Sequence, residues 1–279
     1  MLNFAVDETR CVQCGECAAD CPVRIIDLDE GFPRIGQYRQ SLCIGCQHCL
    51  AVCPTAALSI LGKDPEDSEP VLPPSPDALE NLMKGRRSVR RYRPEPVDRA
   101  VLDRLMDVVA HAPTGKNERR VRFTLVDDPA VMERIRVLAM EGIRRAVDED
   151  ALPDGMEFFA KFLAAWDQGR DIVFRGAPHM LIASAPRASS SPEADPFIAL
   201  TYFELMAASL GLGTVWCGYA RWALQNVVPE LGKRLGIPFE HRSMYVVMFG
   251  HPEVRYARTV QRDVQDLHRP TLADLEALL

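Results

Sequence analysis

From residue 77 onward the apolar positions follow two periods. Spacings of three and four predict helices over 77–84, 98–111, 129–148, 156–168 and 196–211. Short runs rich in β-formers, bounded by glycine, proline or charge, predict strands over 121–127, 179–185, 214–219 and 243–250. Asp98 stands where the second helix wants an N-cap. Helices and strands in this alternation argue for an α/β or α+β layer fold, and the apolar stripe along 197–210 reads as core or as an interface between two copies. The first 61 residues lack such long periods. There CPVRIIDL and CPTAALSI recur 32 residues apart, each running from a proline into an apolar stretch, which predicts two small halves of β-hairpin and helix. Between the two regions, GKDPEDSEPVLPPSP (62–76) holds five prolines and four acidic residues without apolar periodicity. That segment is expected to form a semi-extended linker with neither helix nor sheet, giving units 1–61, 62–76 and 77–279.

Length and composition narrow the class. The 279 residues allow one large domain or two unequal ones. A chain 47% hydrophobic and 26% charged is neither disordered nor collagen-like. Its net charge of −6 speaks against a surface built for nucleic acid. No run approaches the ~18 apolar residues of a spanning helix, and MLNFAVDETR is not a signal segment, so no membrane association and a cytoplasmic location are expected.

Eight of the nine cysteines fall in the first 53 residues. Cys11, Cys14, Cys17 and Cys21 precede Pro22, and Cys43, Cys46, Cys49 and Cys53 precede Pro54, so each half reads C-x2-C-x2-C-x3-C-P. Zinc ribbons and disulfide frameworks also use paired cysteines. Neither accounts for a third thiol two residues on, a fourth after three, and a proline, all repeated. Three closely spaced thiolates on one loop suit three corners of an iron–sulfur cube, and in the two-cluster arrangement the fourth serves the other cube. The spacing therefore predicts Cys11, Cys14, Cys17 and Cys53 on one cluster, and Cys43, Cys46, Cys49 and Cys21 on a second. Such crossing would staple a domain too small for a hydrophobic core alone. Residues 3–61 resemble bacterial-type ferredoxins with two 4Fe-4S clusters.

In the larger region, GRRSVRRYRP places five arginines between Arg86 and Arg93, beside Ser88. Guanidinium groups with a neighbouring hydroxyl suit a phosphate, although arginine runs also serve as solvated faces. HAPTGKNERRVRFTLV (111–126) has a polar turn from which Asn117 could present its amide to a heterocycle. Gly211-Leu212-Gly213 opens like a dinucleotide fingerprint but has Trp216 at the sixth position, and no Walker loop occurs.

Taken in order, RRSVRRYRPEPV, APTGKN, GAPHMLIASA, FIALTYFELMAASLGLGTVWCG and FGHPEVRYARTV resemble the nitroreductase family over about residues 80–265. The resemblance implies a three-layer α/β sandwich within an α+β protein, a homodimer with exchanged chain ends, and FMN bound between subunits. It maps the phosphate motif onto Arg86, Arg87, Ser88 and Arg90, and places Asn117 near the flavin's pyrimidine edge or ribityl chain. It sets Trp216, Cys217 and Gly218 along the isoalloxazine, with the Gly218 N–H aimed at N5, and makes Arg255 and Arg258 the later phosphate contacts. One departure stands out: many relatives carry Gln-Pro-Trp after the asparagine motif, where this chain has Arg119, Arg120 and Val121. By residue type alone, Cys217 reads as an inert buried thiol, and His179 as a packing or hydrogen-bonding residue, with a pocket role as the other reading. Clusters carry single electrons, and a flavin converts them to hydride equivalents. The expected function is electron flow between clusters and FMN that reduces a small planar electron-poor substrate, such as a nitroaromatic, quinone or enone, with ferredoxin or NAD(P)H as external donor. An electron-transfer or redox-sensing protein without such a substrate, and an NAD(P)H-dependent nitroreductase with peripheral clusters, are the alternatives.

Overall fold

The structure, a computed structural model, describes residues 2–264 and 266–276. In the cysteine-rich half, β1 (Phe4–Val6) pairs antiparallel with β4 (Leu58–Ile60), joining the first and last segments. Between them lie α1 (Glu16–Ala19), the hairpin of β2 (Asp27–Asp29) and β3 (Phe32–Arg34), and α2 (His48–Ala51). The expected pair of hairpins is thus corrected to one. The second half's strand returns to β1 instead, which closes the domain. Its core is Ile25, Ile26, Leu50, Leu58 and Ile60 together with Cys17, Cys21 and Cys49, so the stretches after each Cys-Pro supply most of it.

The proline-rich segment is less featureless than its composition suggests. Asp64 accepts the Glu66 N–H at 3.0 Å and caps a single 3-10 turn, Pro65–Asp67. Glu66 pairs with Arg10 at 2.5 Å, tying the start of the segment to the cysteine-rich half. Pro76, counted above with the linker, is the first residue of α3 (Pro76–Gly85), where a missing N–H costs nothing. Ser75 Oγ accepts from Ala78 N at 3.2 Å and caps that helix.

The larger half is built on a four-stranded antiparallel sheet with order β5-β6-β8-β7: β5 is Arg122–Val126, β6 His179–Pro186, β7 Gly213–Trp216 and β8 His241–Gly250. Around it lie α4 (Arg99–Val109), α5 (Pro129–Asp148), α6 (Phe158–Trp166) and α7 (Ala194–Ser209). The short helices α8 (Gly218–Trp222), α9 (Pro229–Arg234) and α10 (Leu272–Glu276) complete it. Asp98 does occupy the N-cap of α4, though its side chain makes no capping bond. The strand expected over 214–219 ends at Trp216. Gly218 opens α8, and a π-turn, Ala223–Val227, leads to α9. These short irregular turns carry too few residues to show a helical period.

The sheet alternates sides with period two. Met180 and Ile182 of β6, with Val246 and Met248 of β8, pack under Ile135, Ala139 and Ile143 of α5 and Phe159 of α6. Leu181, Val247 and Phe249 pack under Leu102, Leu105 and Val109 of α4 and Leu200 and Phe203 of α7. Helix, sheet and helix give the three layers expected. Strand β6 is buried at every position, which is why its sequence is a continuous apolar run rather than an alternating one. No helix among the described residues is long and apolar enough to cross a membrane.

His179 belongs to this core. It is fully buried and stacks on Phe249 with ring centroids 5.1 Å apart, and its Nε2 accepts the Val97 N–H at 2.9 Å. Burial holds its pKa below the usual imidazole value, so the ring is neutral with its proton on Nδ1. The unfolded chain takes up a proton below about pH 6.5 that the native ring refuses, so this contribution is complete above that value and is lost as pH falls toward the native pKa. The urea midpoint should therefore drop more between about pH 7.5 and 5.5 in the wild type than in His179→Gln, which keeps an acceptor for Val97. Equal drops in the two proteins would contradict this assignment.

Candidate functional site

Two cavities lie inside the cysteine-rich half. One is lined by Cys11, Cys14, Cys17 and Cys53, the other by Cys21, Cys43, Cys46 and Cys49. The crossing follows from the short helices. In each half the motif's last thiol, Cys21 or Cys53, comes just after a four-residue helix that carries it away from its own loop. The internal repeat is visible in the backbone too. Gln13 and Gly45 are equivalent positions, as are Gly15 and Gln47, and all four are left-handed, with φ of 54°, 65°, 77° and 62°. That curl turns Gly45 N toward sulfur, where it donates to Cys43 Sγ at 3.4 Å, and the separate turn after α2 brings Ala57 N onto Cys53 Sγ at 3.2 Å. Such bonds favour the anionic sulfurs of a cluster.

Burial pushes the Cys49 thiol up to about 11 and raises Cys17 as well. At Cys53 burial also raises the pKa, but hydrogen bonds from Ala57, Thr55 and Leu58 outweigh it and the thiol is lowered overall. Metal loading must therefore displace protons from the buried members. Among the described residues no three His, Cys, Asp or Glu side chains converge closely enough to hold one metal ion. The cysteines ring cavities instead, and these residues fit multi-iron clusters.

In the larger half, the arginine segment leaves α3 and runs along β7. Arg86 N caps α3 on the Leu82 carbonyl at 2.9 Å, Ser88 bridges Thr214, and Val89 N donates to Thr214 O at 2.8 Å. This close approach requires Gly213, since a Cβ there would lie 2.7 Å from Val89 Cγ1. Arg87 Nη2 donates to Lys84 O at 2.6 Å, and Arg90 is exposed with Nη1 on Ser88 O at 3.2 Å. Glu204, a carboxylate buried on α7, accepts from Thr214 Oγ1 at 3.1 Å and stands 3.4 Å from Arg86 Nε. That last contact is an ion pair without hydrogen-bond alignment. Arg86 Nε and Arg87 Nε are buried with no hydrogen-bond partner among the described residues. Orphaned guanidinium nitrogens beside Ser88 suit an anion such as the phosphate of FMN.

The chain after β8 returns to the same place. Arg93 N donates to His251 O at 2.8 Å, Glu253 N donates to Arg91 O at 3.1 Å, and Tyr92 bridges Pro252. Arg255 and Arg258 follow on this segment and are exposed. The end of β7 supplies the other expected residues. Trp216 is half-buried and stacks on Phe197, with ring centroids 5.7 Å apart, and Tyr245 lies 5.3 Å from Trp216 and 5.1 Å from Phe197, so the three rings form one cluster. Cys217 turns its thiol into the core, where Sγ donates to Val173 O at 3.0 Å and burial raises its pKa. Only its backbone is left to line a ligand. Gly218 is the first residue of α8, a position whose N–H has no intrahelical acceptor.

The structure thus brings the segment of Arg86, Arg87, Ser88 and Arg90 beside the strand that ends at Trp216, just ahead of Cys217 and Gly218. Asn117 sits on the turn Gly115–Asn117, and one of its amide N–H groups is spent on the Ile44 carbonyl at 2.8 Å, in the loop of the second cysteine set. Sequence reasoning missed Glu204 and Tyr245. Glu204 left a signal, since it is a charge in the buried stripe between Leu200 and Ala207.

The nitroreductase family profile matches residues 83–251, and that of the 4Fe-4S dicluster domain matches residues 10–57. The chain is 46% identical over 70 residues to the 5,6-dimethylbenzimidazole synthase of Rhodobacter capsulatus, a match spanning 25% of this chain and 33% of that protein. It is 30% identical over 178 residues to the FMN reductase (NAD(P)H) of Bacillus subtilis, spanning 62% of this chain and 65% of that one. It therefore spans a third of the first relative's length and just under two-thirds of the second's. It superposes on an FMN-bound nitroreductase from Bacteroides fragilis with a TM-score of 0.56 at 20% identity, covering 68% of this chain and 98% of the other. With an FMN-bound nitroreductase from Desulfitobacterium hafniense the TM-score is 0.53 at 22% identity, covering 68% and 98%. At these identities the likeness is one of fold. The chain belongs to the nitroreductase family and carries, ahead of that domain, a 4Fe-4S dicluster domain.

Proposed function

We propose that two 4Fe-4S clusters in the amino-terminal half pass single electrons to FMN in the larger half, for the reduction of a small planar electron-poor molecule such as a nitroaromatic, quinone or enone. The observation that carries this reading is the pair of cavities, each ringed by four cysteines of crossed origin, on one chain with a nitroreductase fold. Bound FMN supplies the exchange between one-electron and two-electron chemistry. The protein's own part is binding and orientation. Arg86, Arg87, Ser88 and Arg90 hold the phosphate, and Arg255 and Arg258 add to it from the later segment. The Gly218 N–H would serve the flavin N5, and Trp216 would wall the ring. Asn117 retains its carbonyl oxygen and a second N–H for the flavin's polar edge. No side-chain acid or base is assigned.

Helix α7 supports a homodimer as the working unit. It buries Ala199, Leu200, Phe203 and Ala207 within the chain, yet leaves Phe197 and Tyr202 41% and 38% exposed, so an apolar helix keeps large aromatic side chains partly uncovered. Cysteines kept as thiolates for cluster ligation suit a reducing compartment, and the cytoplasm is the location this reading carries. A second reading, in which NAD(P)H reduces FMN directly, is favoured by the similarity to the Bacillus subtilis FMN reductase (NAD(P)H).

One experiment separates the two. Anaerobically reconstituted protein is offered a nitroaromatic with either reduced ferredoxin or NADPH, alongside Cys46→Ser. Turnover with ferredoxin that disappears in Cys46→Ser supports the cluster route. Equal turnover of both proteins with NADPH, and none with ferredoxin, establishes the second reading in its place.

A further inference from the structure

The two halves meet at a defined point. Asn117 Nδ2 donates to the main-chain carbonyl of Ile44 at 2.8 Å, between residues 73 apart in sequence. Ile44 lies between Cys43 and Cys46, and a Cβ on the neighbouring Gly45 would come within 4.0 Å of the same amide. The loop that presents Asn117 is held firmly. Asp195, buried at the start of α7, accepts Gly115 N at 3.0 Å, Glu118 accepts Ser190 N at 3.1 Å, and Thr114 Oγ1 accepts Arg119 N at 3.0 Å. A Cβ on Gly115 would lie 2.5 Å from Ser191 Oγ, so the turn is pressed against its support. Lys116, Asn117 and Arg119 all take left-handed φ, of 53°, 55° and 52°. Non-glycine residues adopt that region at a cost, and three in a short turn persist only where the surroundings over-determine them. The two cysteine sets also differ in cover: Cys14 of the first is exposed, whereas every cysteine of the second is buried or partly so.

We propose that the second set, Cys21, Cys43, Cys46 and Cys49, is the inner relay, and that Asn117 is the positioning residue that latches its loop against the flavin half. This rests on the flavin reading above. Each transfer takes one electron from the inner cluster and gives one to the flavin. A two-electron reduction of substrate consumes two such electrons, drawn from an external one-electron donor that is itself oxidised, and two protons from water.

The test uses the full chain, reconstituted with iron, sulfide and FMN under anaerobic conditions. A photoreactive benzoylphenylalanine replaces Lys116, which is exposed beside the latch, and cross-links are mapped by peptide mass spectrometry. They are expected within residues 42–47. Cross-links to residues 11–17 instead, or none to the cysteine-rich half, overturn the inner assignment. Adding Asn117→Ala or Asn117→Asp should lower the cross-link yield about fivefold, the factor set by one lost hydrogen bond. In Asn117→Ala without the photoreactive group, the delay between cluster reduction and flavin bleaching after mixing with dithionite should lengthen by about the same factor. An unchanged yield and delay would remove Asn117 from the role. FMN content is scored separately in the wild type: a chain without FMN defeats the flavin reading, while the cross-link pattern alone decides the latch.

Discussion

Arg86→Ala is expected to destabilise the larger half by about 3–5 kcal/mol, because it strands a buried carboxylate. Glu204 has only 8% of its side chain exposed, and its partners are Thr214 Oγ1 and the Arg86 guanidinium. Removing the cation leaves a desolvated charge with one neutral hydrogen bond. Arg86→Ala/Glu204→Gln should recover most of the loss, since the neutral amide still accepts from Thr214 and no charge remains to be compensated. Flavin affinity should not recover with it, because the phosphate contact is still missing. Urea titration and flavin binding, measured on both variants, separate the two jobs of this arginine. Wild-type stability in the single variant would show that Glu204 does not depend on Arg86.

The second large effect concerns which cluster a given thiol serves. Cys21 belongs by sequence to the first motif, yet it lines the cavity of Cys43, Cys46 and Cys49. Cys21→Ala should therefore cost the second cluster, halving the iron content and leaving a spectrum that matches Cys46→Ala, not Cys14→Ala. The effect should extend to folding. The cysteine-rich half has a core of a few aliphatic side chains, and without its staples a domain of this size is marginal. A Cys21→Ala spectrum identical to that of Cys14→Ala would replace the crossed arrangement by a local one.

Local information explains what was legible in advance. The eight cysteines sit at short, repeated spacings, and the fixed left-handed turns at Gln13, Gly15, Gly45 and Gln47 convert that spacing directly into geometry. Helix α5 fills the expected 129–148 because a long amphipathic period and a proline start define it. Contacts made across the sequence were not legible. Glu204 meets Arg86, and Asn117 meets Ile44, only after the sheet and the linker have brought distant segments together. Asn117 is the clearest case: its type and loop suggested a heterocycle, and its bond to the cluster loop depends on a domain contact that no local pattern encodes. The run at 214–219 failed for a simpler reason. Apolar residues serve a strand and a short helix alike, and the change of structure falls between Trp216 and Gly218, where no proline or charge marks it.

The central claim is that iron–sulfur clusters and FMN share this one chain. Its most direct test is chemical analysis of protein isolated without air: iron, acid-labile sulfide, zinc and FMN per polypeptide, together with the visible spectrum before and after dithionite. The account predicts about eight iron and eight sulfide per chain with about one FMN, and bleaching of both cluster and flavin bands. Zinc in place of iron and sulfide, or the absence of a yellow chromophore, would contradict it.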